Sequence, residues 1–308
     1  MQSKIQNLKS KIVPPPLKPG DLLRVIAPSG ALREFEAFQN GIEIWRSHGY
    51  RVEIPPEIED KWGYLAAKDE HRREQIATAW QEPECSGVLC ARGGFGSTRI
   101  LENWSWHDLE NSTLPKWIIG FSDITALLWS LYIEGISGVH GPVLTTLASE
   151  PDWSIQRLFD CVEGRPLAPL KGCAWGGGVV RGILLPGNLT VATHLLGTPM
   201  LPDMDGVILA LEDVTEAPYR IDRMLTQWRM SGALSKVRGI ALGSFSRCEA
   251  PPNVPSFSVE EVLRDRLGDL GIPIVSNLPF GHEAPNAALP VGVLATLDAE
   301  QGILSLGN

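Results

Sequence analysis

The chain has 308 residues, of which 44% are hydrophobic and 20% charged, a composition typical of globular proteins rather than disordered ones. Its 27 Lys and Arg residues stand against 36 Asp and Glu residues, which gives a formal net charge of −9. This balance argues against a partner that is nucleic acid or a membrane surface, because binding to either needs clustered positive charge, and the length favours two domains or one large α/β unit.

In the first half, a proline-rich lead-in at 13–20 is followed by short apolar runs that alternate with helical patterns. Strands are predicted at 22–27, 51–54, 87–90 and 117–119, and helices at 33–48, 70–80, from the Ser122 turn to about 133, and 153–162. This alternation predicts βαβ units and a mainly parallel sheet. The turns at 91–96 and 120–123 each follow a strand, so both lie at the carboxyl edge of the sheet, where such folds build their sites.

The glycine-rich segment 171–178 is a break in composition, and we interpret it as a linker. It would separate an N-terminal α/β domain, 1–170, from a C-terminal domain, 179–308. In the second domain strands are predicted at 179–185, 207–211, 240–242, 274–275 and 291–297, and helices at 189–196, 221–230 and 259–267. The many glycines and prolines there favour a compact α+β or barrel-like domain.

The five cysteines are scattered along the chain and form no C-x-x-C pair. That pattern is typical of reduced thiols in a cytosolic protein. Residues 1–20 contain no apolar core of a secretory signal, and no stretch reaches the roughly 18 apolar residues of a membrane span. A cytoplasmic location is therefore predicted.

Ser122 lies on the tight turn between a predicted buried strand and a helix. A serine there projects its hydroxyl at the sheet edge, and the following N–H group, that of Asp123, lies at a helix N-terminus. This is the arrangement of a nucleophile elbow, although Ile124 stands where G-x-S-x-G has its second glycine. The alternative is that Ser122 or Asp123 caps the helix.

The second glycine-rich turn contains Gly93, Gly94 and Gly96. It matches neither a dinucleotide-binding loop nor a Walker loop. Its exposed N–H groups could supply an oxyanion-hole donor that faces Ser122. The alternative is a simple tight turn.

The six histidines show no metal-ligand spacing, so no metal site is predicted. His282 follows an apolar segment and His140 follows a strand, so either could reach the sheet edge as a base; a solvated loop histidine is the alternative. Glu212 and Asp213 end an apolar strand, where a carboxylate could orient a histidine or cap the next segment.

Taken together, these residues resemble the LD-carboxypeptidase family of serine peptidases, which includes murein tetrapeptide carboxypeptidases and microcin-immunity amide hydrolases. The matching stretches lie in the family's order along nearly the whole chain: VIAPSG at 25–30, ARGGFG at 91–96, IGFSDIT at 119–125, HGP at 140–142, PGNL at 186–189, LED at 211–213, PYRID at 218–222 and GH at 281–282. Each stretch alone is weak, but jointly they are specific.

The resemblance implies a class I glutamine-amidotransferase-like N-terminal domain and a Ser–His–Glu triad. In this sequence the nucleophile would be Ser122, the general base and acid His282, and the orienting carboxylate Glu212. The backbone N–H groups of Asp123 and Gly94 would form the oxyanion hole, with Gly93 as a further member. No metal or cofactor is required for this chemistry.

The function implied is release of the terminal D-alanine from a murein tetrapeptide during peptidoglycan recycling, with a small muropeptide as substrate and a homodimer as the expected assembly. Arg92, Arg220 and His140 are candidates for contacts with the substrate; for the two arginines a surface salt bridge is the alternative. Two other functions stay open: an amide hydrolase that inactivates a peptidyl-nucleotide antibiotic of the microcin type, and a non-catalytic protein that binds cell-wall peptides.

Overall fold

The structure is a computed structural model that describes residues 12–102, 104–109, 115–175 and 177–307. Within these residues the first sheet has the order β12-β5-β4-β3-β1-β2. Its strands are β1 Leu22–Ile26, β2 Arg51–Glu53, β3 Cys85–Cys90, β4 Trp117–Gly120, β5 Val139–His140 and β12 Leu289–Pro290. The strands β1 to β5 pair in parallel, whereas β12 comes from the far end of the chain and pairs antiparallel with β5.

Helices connect these strands, as parallel pairing requires. They are α1 Phe35–Ser47, α2 Asp69–Gln81, α3 Ser97–Ile100, α4 Thr125–Ile133, α5 Leu144–Leu147 and α6 Asp152–Val162, with 3₁₀ turns at Trp106–Leu109 and Ser122–Ile124. α4 is buried over almost its entire length, as expected for a helix that is apolar all round.

The second sheet of the described residues has the order β6-β14-β13-β8-β9-β10-β11-β7. Its strands are β6 Leu170–Lys171, β7 Cys173–Ala174, β8 Val179–Asn188, β9 Val207–Val214, β10 Gly239–Ser246, β11 Ile274–Ser276, β13 Leu294–Asp298 and β14 Ile303–Leu306. The helices are α7 Leu189–Leu195, α8 Pro218–Met230 and α9 Val259–Leu267, with a 3₁₀ turn at Ala233–Lys236. The four strands β8 to β11 are parallel and form the centre of this sheet.

The prediction of an α/β fold with a mainly parallel first sheet is confirmed, and the barrel-like alternative for the second half is wrong. The sheet stays open because its edge strands, β6 and β7, pair with β14 and β11 and not with each other. The predicted strand 291–297 begins later than expected, as β13 at Leu294, because Gly292 makes a turn at φ +82° between β12 and β13. The predicted linker, 171–178, contains β7 and the end of β6, and its Gly176 lies outside the described residues.

The two sheets meet at α4. Gly187, near the end of β8, approaches this helix so closely that a Cβ there would lie 2.6 Å from Thr125 Cγ2 and 3.1 Å from Trp129 Cζ2. Trp129 donates a hydrogen bond from Nε1 to the carbonyl of Pro186 at 2.8 Å, and its ring is fully buried. Truncating a tryptophan of this kind to alanine costs about 3–5 kcal/mol. The contact therefore fixes the second sheet against the helix that begins just after Ser122.

In the ranges that the structure describes, no helix combines the length and the apolar character needed to cross a membrane.

Candidate active site

Ser122 occupies a strained turn at the carboxyl end of β4. Its φ of +62° is unusual for a residue other than glycine, and such strain is found most often at functional sites. The turn is tight because Gly120 has no side chain: a Cβ there would lie 2.9 Å from Ile124 Cγ1 and 3.1 Å from Cys90 Cβ. The chain then enters the 3₁₀ turn and α4, so the Ser122 side chain stands at the sheet edge.

His282 and Glu212 lie next to this serine although they come from the second half of the chain. The Oγ of Ser122 is 2.9 Å from Nε2 of His282, and Nδ1 of His282 is 2.6 Å from Oε2 of Glu212. The imidazole side chain is 15% exposed and the carboxylate is fully buried. A carboxylate, an imidazole and a hydroxyl in this order can activate the hydroxyl as a nucleophile. The structure thus brings together the three predicted residues, and their catalytic roles stay a prediction.

Asn188 holds the other oxygen of Glu212. Its Nδ2 donates to Glu212 Oε1 at 3.2 Å and to Asp213 Oδ1 at 3.1 Å, and the register of β8 and β9 sets Asn188 beside Glu212. Burial raises the pKa of Asp213 to about 6, and the neighbouring charge of Glu212 adds to this effect. Asp213 is anchored by the backbone N–H and the hydroxyl of Thr190. It therefore supports the strand end, while Glu212 faces His282.

The glycine turn lies against Ser122. A Cβ built on Gly93 would be 3.1 Å from Ser122 Oγ and 3.7 Å from the backbone N of Asp123, and Gly94 has a φ of +116°. The Gly94 N–H donates no hydrogen bond to another residue of the described ranges. Gly93 and the backbone N of Asp123 thus lie beside the nucleophile, and the role of Asp123, Gly94 and Gly93 as an oxyanion hole stays a prediction.

The side chain of Asp123 holds the serine turn in place, whereas its backbone N–H is a predicted oxyanion-hole donor. Its Oδ2 accepts hydrogen bonds from the Ser29 hydroxyl at 2.5 Å and from the Ser97 backbone N–H at 2.8 Å. The Ser97 hydroxyl in turn donates to the Asp123 carbonyl. Because Ser29 follows β1 and Ser97 begins α3, these contacts fix the serine turn to both neighbouring loops.

A cavity of about 680 Å³ adjoins this turn and is lined by Gly94 and Asp123. Most of its remaining lining is apolar and comes from Phe95, Leu101, Trp104, Val191, Leu195, Pro199 and Met200, with Thr98, Glu102, Thr190, His194 and Thr198 as the polar members. Gly94 and Asp123 are the two members of this lining that also belong to the predicted oxyanion hole.

The three residues predicted to contact the substrate, Arg92, Arg220 and His140, lie in different environments. Arg92 donates to the carbonyl of Ala31 at 2.6 Å and lies 3.6 Å from a carboxylate oxygen of Glu34. The side chain of Arg220 is 50% exposed, and the hydroxyl of the adjacent Tyr219 accepts a hydrogen bond from its Nε at 3.2 Å. Their substrate roles stay predictions.

His140 is 0% exposed, which argues against a direct contact with substrate. Its ring lies edge-on to Phe121 and Phe280 at 6.0 and 6.2 Å between centroids. Neither ring nitrogen has a hydrogen-bond partner among the described residues. The pKa of His140 is lowered to about 4, mainly by burial; the charge of Glu212 opposes this shift and that of His282 adds to it.

Several supporting residues were not singled out from the sequence. Ser29 and Asn188 lie inside stretches that carry the family resemblance, so those stretches held the available signal. Ser97 lies outside them, and so do Glu150 and Asn286, which hydrogen-bond to each other while Asn286 also holds Gly281 beside His282. Among the described residues, no group of three or more His, Cys, Asp or Glu side chains is arranged to hold a metal ion.

Comparison with known proteins gives matches over most of the chain. Family models match residues 23–141 as an LD-carboxypeptidase N-terminal domain and residues 181–297 as an LD-carboxypeptidase C-terminal domain. A Synechocystis protein named as a carboxypeptidase is 58% identical over 297 residues, covering 96% of this chain and 98% of that protein. The murein tetrapeptide carboxypeptidase of Pseudomonas aeruginosa is 33% identical, covering 90% of this chain and 93% of its own.

Two solved structures share the fold. The crystal structure of muramoyltetrapeptide carboxypeptidase from Oxalobacter formigenes is 32% identical, with a TM-score of 0.82, and the match covers 93% of this chain and 99% of that one. The microcin C7 self immunity protein MccF in its wild-type apo state is 20% identical, with a TM-score of 0.85, over 96% of this chain and 98% of that one. The second likeness concerns the fold alone.

Proposed function

The chain belongs to the LD-carboxypeptidase family, and from this premise we propose that it is a serine LD-carboxypeptidase that removes the terminal D-alanine from murein tetrapeptides. The observation that supports the proposal most is the hydrogen-bonded series of Ser122, His282 and Glu212, with distances of 2.9 and 2.6 Å. The series lies beside the glycine turn, where Gly93 approaches Ser122 and the backbone N of Asp123.

In the first half of the reaction, His282 accepts the hydroxyl proton of Ser122 while Oγ attacks the carbonyl carbon that precedes D-alanine. The backbone N–H groups of Asp123 and Gly94, with Gly93, donate to the oxygen that becomes negative. Glu212 stabilises the imidazolium and keeps its ring oriented. When the intermediate collapses, His282 gives its proton to the amine of the leaving D-alanine, and the tripeptide stays bound to Ser122 as an ester.

In the second half, a water molecule replaces the amine. His282 removes one proton of this water as its oxygen attacks the ester, and then returns the proton to Ser122 Oγ. The products are a tripeptide with a free carboxylate and the regenerated enzyme. This sequence of steps needs no metal or cofactor, because the imidazole moves every proton.

The choice of substrate rests on the relatives. The Pseudomonas protein is named for murein tetrapeptide and the Oxalobacter protein for muramoyltetrapeptide. The bond cleaved would follow the L-configured centre of the diamino acid. Cytoplasmic peptidoglycan recycling and a homodimeric assembly are parts of the same proposal, and light scattering coupled to size-exclusion chromatography tests the assembly.

The test is to incubate the purified protein with murein tetrapeptide and to measure tripeptide and D-alanine by mass spectrometry. The Ser122→Ala protein, shown to be folded by circular dichroism, is the control. We expect tripeptide from the unmodified protein and none from the variant. Absence of tripeptide from the folded, unmodified protein would refute this substrate assignment.

A parallel incubation uses an aminoacyl-sulfamoyl adenylate, the kind of compound that a microcin-immunity hydrolase would cleave. We expect turnover of the tetrapeptide to exceed turnover of this compound. The reverse order would reassign the protein to the immunity type. Binding of tetrapeptide without cleavage of either compound, and without labelling of Ser122 by a fluorophosphonate, would indicate the non-catalytic alternative.

A further inference from the structure

The loop that carries His282 begins at a glycine that leaves no room for a side chain. Gly281 has a φ of +131°, and a Cβ there would lie 2.2 Å from Ser244 Oγ and 3.2 Å from Glu212 Cβ. Its backbone N–H donates to Oδ1 of Asn286 at 3.0 Å. The two ends of the loop 281–286 are therefore held together by the Asn286 side chain.

Asn286 is itself held by residues from the first half of the chain. Its backbone N–H donates to Oε2 of Glu150 at 2.7 Å, and its carbonyl oxygen lies 3.2 Å from the Ser154 hydroxyl oxygen. The Ser154 hydroxyl also lies 2.8 Å from the same carboxylate oxygen. Two residues further on, the carbonyl of Ala288 accepts from Nε of Arg157 at 3.0 Å.

The members of this arrangement are removed from solvent. Glu150, Ser154, Arg157 and Asn286 are all buried, and burial raises the pKa of Glu150. A buried carboxylate is costly unless it is well hydrogen-bonded. The two donors that Glu150 receives compensate for part of that cost, and removal of the carboxylate would leave the N–H of Asn286 buried without an acceptor.

We infer that Glu150 and Asn286 are positioning residues that hold the His282 loop against the half of the chain that carries Ser122. This inference rests on the proposed role of His282 as the base. Glu212 orients the imidazole from the second sheet, but it belongs to the same half of the chain as His282. Glu150 precedes α6 in the first half, so its hydrogen bond to Asn286 connects the loop of the proposed base to the half of the chain that holds the nucleophile.

The reason for such a tie is the sensitivity of proton transfer to distance. Ser122 and His282 are 160 residues apart in the chain and 2.9 Å apart in space. A misplacement of about 1 Å at a catalytic group can lower the rate about 100-fold. The contacts of Glu150 and Asn286 reduce the freedom of the loop by connecting both of its ends to buried groups.

The test compares kcat and KM for the tetrapeptide in Glu150→Ala, Asn286→Ala and Glu150→Gln. We expect kcat to fall about 10- to 100-fold in both alanine variants, with KM within about twofold of the original, because the base is displaced and the binding surface is kept. Glu150→Gln retains a carbonyl oxygen that accepts both bonds. It is expected to recover most of kcat.

The matched control is Tyr50→Phe. The Tyr50 hydroxyl donates to Oε1 of Glu163 at 2.7 Å, just beyond the far end of α6, so this change also removes a bond to a carboxylate that packs at that helix. We expect a loss of thermal stability without loss of kcat. For each variant, the loss of kcat is compared with the loss of thermal stability. If the ratio of the two losses is the same for Tyr50→Phe and Glu150→Ala, Glu150 has only a structural role and the inference is overturned.

A second readout does not depend on the substrate. In protein with ¹⁵N-labelled histidine, the ring resonances of His282, assigned from His282→Ala, should move in Glu150→Ala and Asn286→Ala and stay in place in Tyr50→Phe. Unchanged His282 resonances in both alanine variants would refute the inference. If the unmodified protein cleaves no tetrapeptide, the substrate proposal fails, while these resonances still decide whether Glu150 and Asn286 position the ring.

Discussion

His140 should make the stability of this protein sensitive to acid. The ring is fully buried and its pKa is lowered to about 4, whereas in the unfolded chain it has the ordinary value of 6.5. Well above pH 6.5 the histidine is neutral in both states and has no effect on stability. As the pH falls from 6.5 towards 4, His140 binds a proton in the unfolded chain but stays neutral in the folded protein. The free energy of unfolding therefore decreases. At pH 5 the loss is about 2 kcal/mol, and below pH 4 it approaches about 3 kcal/mol.

The perturbation is His140→Leu, which removes the titrating group without breaking a hydrogen bond within the described residues. Urea unfolding at pH 7.5 and pH 5.0, at constant ionic strength, gives the free energy of unfolding of both proteins. Acidification should cost the unmodified protein about 2 kcal/mol more than the variant. Equal pH dependence in the two proteins would refute the reasoning, and so would an NMR titration of the His140 ring in the folded protein with a midpoint near 6.5.

Three further predictions concern the reaction itself. Ser122→Ala and His282→Ala should each lose about as much kcat as the double variant, because members of a triad act as a unit; losses that multiply in the double variant would contradict a shared proton relay. Glu212→Gln should keep the circular dichroism spectrum and lose on the order of 10⁴ in kcat, since the imidazole is then poorly oriented, and near-normal turnover would remove Glu212 from the mechanism. Gly93→Ala should lower kcat roughly 100-fold with little change in melting temperature, because the added methyl lies 3.1 Å from Ser122 Oγ where the oxyanion must form; unchanged kcat would place the oxyanion elsewhere.

Local rules of sequence identified the parts of the candidate site that lie at strand ends. Ser122, Gly93 and Gly94 can be identified because a glycine or serine in the turn after a buried strand of a parallel sheet lies at its carboxyl edge. Glu212 can be identified in the same way, because it lies near the end of β9. These positions depend on residues a few places away in the chain, which is the range over which a sequence pattern carries information.

Contacts between segments that are far apart in the chain produce no local sequence pattern from which they could be predicted. The bond between Asn286 and Glu150 joins residues 136 apart, and β12 crosses to the first sheet from near the end of the chain. The barrel-like alternative arose because strand spacing does not determine whether β6 and β7 meet. The sequence suggested that His140 could reach the sheet edge, and its burial between Phe121 and Phe280 depends on side chains from both halves.

The same distant contacts explain how a nucleophile and its base can be shared between two sheets without losing alignment. Thr125, three residues after Ser122, accepts a hydrogen bond from the Asn188 backbone N–H at 2.9 Å, and the Asn188 side chain donates to Glu212. Glu212 contacts His282, and His282 contacts Ser122. Together with the backbone from Ser122 to Thr125, these hydrogen bonds form a closed ring that passes through α4, β8 and β9. A movement of one sheet against the other would have to break a bond of this ring within the buried interface. Breaking such a bond is unfavourable, since a buried polar group without a partner costs about 1–3 kcal/mol of stability. The alignment of Ser122 and His282 is therefore a property of the interface between the sheets as much as of either residue.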